Sequence, residues 1–196
     1  NDHRVYGFAV VPGAAHIARL LCAGFNVLGH NNINIYEIDF QQPIVIVEQQ
    51  ILKVQLIIKP EGEAGYYFEI FSMPAMVGNH GSRSWRKHVE GRFNFNEIYN
   101  ENQNLNLIQE IKARCSKELN INIFNDYCND SNFQYGSSFK WIEKIFIGNN
   151  ESICFMRSPS LIDDMNGLIL HPGQIDCAFQ SIASLGIANG TLHADN

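Results

Sequence analysis

Two stretches of this chain are too apolar to lie as helices on a surface, and each opens on a proline. Pro12-Gly13 begins a run to about Leu28, with Ile17, Leu20, Leu21, Gly24, Phe25 and Leu28 at helical spacing and Gly29 as its stop. His171-Pro172 begins a second run, to about Leu185. Proline suits the first turn of a helix, where its missing N–H would be unpaired anyway. A helix that is apolar on most sides has to be wrapped by other structure.

The wrapping material reads as strands. Residues Ile33 to Phe40 alternate as a half-buried strand should, and extended runs follow at Ile44–Val47, Val54–Lys59, Tyr66–Met73 and His88–Phe95. Pro43, Pro60-Glu61-Gly62 and Gly78–Gly81 punctuate them. Residues 96–132 are polar and Asn-rich, with a helix expected around Leu107–Leu119, and read as a connection. Strand patterns return at Phe139–Ile147 and Ser152–Arg157, ahead of the second helix. A helix followed by a sheet, then strands and another proline-opened helix, predicts a duplicated α+β fold.

Composition narrows the class of function. Of 196 residues, 45% are hydrophobic and 17% charged, an ordinary globular balance. The net charge of −6 argues against a nucleic-acid partner, which would call for a basic face. No apolar run reaches the length that spans a bilayer. The five cysteines form no CxxC pair, which predicts free thiols in a reducing, cytoplasmic setting. The seven histidines lack HExxH-type spacing, so no metal site is expected.

Three short segments, with a possible fourth, carry chemistry. In His3-Arg-Val-Tyr-Gly7-Phe-Ala-Val-Val-Pro12, a histidine precedes a glycine suited to close approach and a Pro-Gly helix start whose N–H groups are unpaired. In His171-Pro172-Gly173-Gln174-Ile175-Asp176-Cys177-Ala178-Phe179-Gln180, Asp176 stands among apolar neighbours with Gln180 one turn on. Asp176 is readable as a carboxylate serving the helix dipole, but its neighbours point to burial, which perturbs a carboxyl as catalytic sites require. Tyr135-Gly136-Ser137-Ser138-Phe139 reads as a turn before a strand. Trp85-Arg-Lys-His88-Val-Glu-Gly91 reads as a strand with a packing Trp.

Taken in order, these segments resemble the dehydratase domains of polyketide synthases and, more distantly, of animal-type fatty acid synthases. His3, Gly7 and Pro12 match the family's HxxxGxxxxP, and Trp85, His88 and Gly91 its strand motif. Tyr135, Gly136 and Phe139 match YGPxF, with Ser137 in the proline position. His171, Pro172, Asp176 and Gln180 match HPxxxDxxxQ. The resemblance implies a double hotdog, two antiparallel sheets each wrapping a central helix. Residues 1–95 would be the His-bearing first hotdog, 96–132 a linker and 133–196 the Asp-bearing second hotdog. It also implies strands before the first motif and after the second helix, so the domain is expected to be truncated at both ends.

The resemblance further implies elimination of water from a β-hydroxyacyl thioester, with His3 as base and Asp176 as acid. Gly13 would offer its N–H to the thioester oxygen, Tyr135 would hold the β-hydroxyl, and Gln180 would orient Asp176. Gly7 and Pro12 would shape the substrate-binding segment around them. No metal or organic cofactor is implied, the substrate being carried on the phosphopantetheine of an acyl carrier protein. Partners would be that carrier and other synthase domains, with a homodimer allowed, and no nucleic acid or membrane. A product-template-like cyclase, an isomerase-like variant that moves a double bond, and a catalytically idle double hotdog are the alternatives.

Overall fold

The computed structural model describes residues 2–30, 32–62, 65–75, 84–95, 101–159, 167–188 and 190. The turn expected at Gly78–Gly81 lies outside them. The elements are β1 (His3–Val5), β2 (Phe8–Val11), α1 (Gly13–Leu28), β3 (Asn34–Phe40), β4 (Ile44–Val45), β5 (Leu52–Glu61), β6 (Gly65–Pro74) and β7 (Arg86–Asn94). There follow α2 (Glu101–Arg114), β8 (Lys117–Leu119), α3 (Ile121–Asp130), β9 (Phe133–Tyr135), a 3-10 turn (Ser137–Phe139), β10 (Ile142–Ile147), β11 (Ser152–Met156), α4 (Pro172–Gln180) and α5 (Ala183–Ala188). Two compact units divide the chain. Asn1–Gly7, Tyr99–Asn166 and Leu170–Asn196 form the first, and Phe8–Ile98 with Gly167–Ile169 the second.

In the second unit, β3, β7, β6 and β5 form an antiparallel sheet in that order. Period-two alternation sends Phe68 and Ile70 inward, where with Val89 and Phe93 they meet Leu20 of α1. The other face carries ion pairs such as Lys59–Glu69 and Lys87–Glu69, at 2.8 and 2.7 Å. Gly29 ends α1 in the left-handed conformation at φ 75°, as the sequence predicts. Trp85 corrects the packing-Trp reading, for it is 45% exposed. The motif's buried polar residue is His88, whose Nε2 meets Ser72 Oγ at 2.7 Å and whose Nδ1 lies 3.0 Å from the Gln42 carbonyl.

In the first unit, β1 pairs antiparallel with β9, while β10 lies between β8 and β11. Phe124 and Cys128 of α3 pack on Ile145 and Ile147 of β10, with Ala183 and Ile187 of α5 closing over them. Residues expected as a connection are thus part of this core. The helix expected at Leu107–Leu119 stops at Arg114, because Lys117–Leu119 pairs with β10 as a strand instead. Tertiary pairing overrides local helix propensity there.

The second proline-opened helix also departs from expectation, breaking into α4 and α5. Ser181 Oγ donates to the Ala178 carbonyl and Ser184 Oγ to the Ser181 carbonyl, both at 2.6 Å, while Ile182 N–H and Ser184 N–H bond three residues back. Serine hydroxyls compete for helix carbonyls in this way. The strand expected at Phe139–Ile147 begins only at Ile142, since Ser137–Phe139 closes into the 3-10 turn.

Candidate active site

His3 and Asp176, expected from opposite halves of the chain, belong to the same compact unit. β1 places His3 opposite Tyr135 of β9, and the imidazole lies between the Tyr135 and Phe139 rings, at 5.5 and 5.3 Å between centroids. Its Nε2 is 3.9 Å from Asp176 Oδ1, too long for a hydrogen bond. His3 Nδ1 is buried and has no hydrogen-bond partner among the described residues. Both side chains are 11% exposed.

Asp176 lies beyond the first turn of α4, which removes the capping interpretation. The cap is His171, whose Nδ1 accepts from Gly173 N–H at 3.0 Å and whose ring stacks on Trp141. Asp176 Oδ2 instead accepts from Gln180 Nε2 at 2.7 Å, so Gln180 orients it as the one-turn spacing predicts. Burial holds the Asp176 carboxyl above its ordinary value, while the Gln180 bond and the nearby His3 pull the other way. Burial likewise raises the Tyr135 phenol, with the Asp176 charge adding to it. Cys177 is buried behind the pair, its thiol raised to about 11 and its Sγ–H donating to the Phe139 carbonyl at 3.1 Å.

These groups open onto a cavity of about 310 Å³ whose walls include Tyr127, Cys128, Phe133, Tyr135 and Phe179. The second unit holds another of about 320 Å³ near Ser72 and His88. Only the first combines a carboxyl with an imidazole nitrogen left without a described partner. Among the described residues, no group of three or more His, Cys, Asp or Glu side chains could hold a metal ion.

The remaining sequence candidates fall as follows. Gly7 is needed for its left-handed φ of 77°, not for close approach, since a Cβ there would meet nothing within 4 Å. Pro12 and Gly13 start α1 in the second unit, where a Cβ on Gly13 would come within 2.9 Å of the Phe40 ring.

Asp2 and Trp141 were not signalled by the motifs, and Phe139 was matched to YGPxF without a role of its own. The Asp2 carboxylate accepts from Ser138 Oγ at 2.9 Å and Ser138 N–H at 3.3 Å, and its carbonyl accepts from Gly136 N–H at 2.7 Å. Trp141 Nε1 donates to the Ser138 carbonyl at 2.9 Å. Asp2's place beside His3 was the one available cue.

Comparison with known proteins places these features in a family. A family model described as "Polyketide synthase dehydratase domain" matches residues 1–73, and one described as "Polyketide synthase dehydratase N-terminal domain" matches residues 106–195. The chain belongs to the polyketide synthase dehydratase domain family, and its fold is the double hotdog. Polyketide synthase PksL of Bacillus subtilis (strain 168) is 28% identical over 201 residues, 100% of this chain and 4% of the relative. PksN of the same organism is 24% identical over 200 residues, 96% of this chain and 3% of the relative.

Among solved structures, the dehydratase domain from the CurJ module of curacin polyketide synthase is 33% identical with a TM-score of 0.81, the match covering 94% of this chain and 61% of that one. An inactive CurJ dehydratase mutant in complex with a compound is 30% identical at a TM-score of 0.83, covering 96% and 62%. The chain therefore spans about 62% of the length of the solved dehydratases and a few per cent of the curated synthases. Among the described residues, no helix is long and apolar enough to cross a membrane.

Proposed function

We propose that this chain carries the acid and the base of a dehydratase that removes water from a β-hydroxyacyl thioester held on an acyl carrier protein. The observation that supports it most is the pairing of His3 Nε2 and Asp176 Oδ1, side by side at 3.9 Å in one partly apolar cavity. An imidazole can take a proton near neutral pH, and a carboxyl raised by burial is suited to give one.

His3 takes the α-proton, and the released C–H electron pair forms the double bond as the β-carbon–oxygen bond breaks. Asp176 protonates the departing hydroxyl, which leaves as water. His3 is then protonated and Asp176 ionised, and return of that proton from His3 to Asp176 resets the pair. The 3.9 Å spacing lets the two groups serve adjacent carbons from one side. Tyr135 holds the β-hydroxyl and Gln180 keeps Asp176 in place. The step as written needs no cofactor. Its setting is a multidomain synthase in a reducing, cytoplasmic compartment, in keeping with five free cysteines.

The direct test is turnover of a simple β-hydroxyacyl thioester, followed by absorbance of the enoyl product. His3→Ala should abolish it and Asp176→Asn nearly so. Tyr135→Phe should cost about 1 kcal/mol, the worth of one positioning hydrogen bond. A fully active His3→Ala protein would remove the base from the scheme.

A further inference from the structure

We infer that Asp2 is a positioning residue for the His3–Asp176 pair, acting through the turn that runs from Gly136 to Phe139. The inference deepens the dehydratase reading and rests on it only for its kinetic consequence.

Asp2 holds that turn by three bonds. Its carboxylate takes Ser138 Oγ–H and N–H, and its carbonyl takes Gly136 N–H. The fit is close enough that a Cβ on Gly136 would come within 2.5 Å of the Asp2 side chain. The Ser138 bonds hold the Asp2 carboxyl below its ordinary range, so it is the ionised form that binds.

Both members of the pair depend on the turn thus held. The Phe139 ring is one wall of the His3 imidazole. The Phe139 carbonyl accepts from Cys177 Sγ–H at 3.1 Å and from Gln180 Nε2 at 3.4 Å, and that same nitrogen donates to Asp176 Oδ2. Asp2 is also the covalent neighbour of His3. One carboxylate therefore sets the ring that bounds the base and the carbonyl that anchors the orienter of the acid. Releasing it frees both groups to shift relative to each other, and small misplacements of reacting groups are costly.

The test uses Asp2→Ala, Asp2→Asn and Ser138→Ala in the full chain, with two readouts: thioester dehydration and NMR titration of the His3 imidazole. Asp2→Ala should lower kcat about tenfold to a hundredfold with KM nearly unchanged, and should move the His3 titration midpoint. Asp2→Asn, which keeps an accepting oxygen, should recover most of both. Ser138→Ala removes only the hydroxyl donor and serves if Asp2→Ala does not fold; it should shift the midpoint in the same direction by less. A folded Asp2→Ala or Ser138→Ala chain with an unmoved His3 titration would overturn the inference, whatever happened to kcat. If the native chain dehydrates no thioester while Asp2→Ala moves the His3 titration, the clamp stands and the dehydratase reading fails.

Discussion

Gln180, one helical turn beyond Asp176, gives its side-chain amide to Asp176 Oδ2 at 2.7 Å, leaving Oδ1 as the oxygen that faces His3 Nε2. Such a bond favours the ionised carboxylate and opposes the effect of burial. Gln180→Leu should therefore raise the Asp176 carboxyl further, seen as an upward move of its midpoint in carbon-detected NMR. A downward move would show that Gln180 does not bond the ionised form. Turnover should fall roughly tenfold to 150-fold, the range expected for losing a hydrogen bond to a charged group.

Asp176→Asn should stabilise the fold while removing activity. The folded chain holds the carboxyl above its ordinary 3.8, so between that value and the folded one it binds more protons than the unfolded chain does. Stability accordingly falls as pH rises through that window, and the full penalty is present above it. Asparagine does not titrate. The variant should melt higher than the native chain at neutral pH, with the difference shrinking below pH 3.8. Equal differences in thermal melts at both pH values would contradict the burial argument.

Gly173→Ala probes the seat of α4. An added Cβ would lie 2.0 Å from the Ser138 carbonyl oxygen and 2.8 Å from Trp141 Nε1, and a backbone oxygen cannot swing aside as a flexible side chain would. We expect a loss of about 1–3 kcal/mol, the usual cost of overpacking, together with a fall in turnover as Asp176 is displaced. Urea denaturation measures the first and a thioester assay the second. An unchanged midpoint would mean the helix start is looser than its contacts imply.

Ser72→Ala tests the polar core of the second unit. The Gln42 carbonyl can only accept, so His88 Nδ1 carries a proton, and in the neutral imidazole Nε2 accepts from the Ser72 hydroxyl. Removing that hydroxyl leaves a buried lone pair unpaired, at a cost of about 1–3 kcal/mol in chemical denaturation. A neutral result would mean that solvent reaches His88 through the adjoining cavity.

What was legible in the sequence was local. The helical spacing from Pro12 to Leu28 and the alternation from Ile33 to Phe40 each report one element, and α1 and β3 lie close to where they were expected. The Asp176–Gln180 bond was legible for the same reason, because residues one turn apart on a helix face each other. Motif order carried the family, the double hotdog and the choice of candidate residues.

Tertiary structure alone decided the rest. Nothing near Lys117–Leu119 signals a strand, because the partner that makes it one is β10. Trp85 was taken for the packing residue of its motif and His88 was not, because burial depends on what lies across the sheet, here Ser72 and Gln42. His3 meets Tyr135, Asp2 meets Ser138, and Trp141 meets His171 only after distant segments pair. Periodicity describes which face of an element is apolar; the identity of the group opposite is set by chain closure over long separations, and no local pattern encodes it.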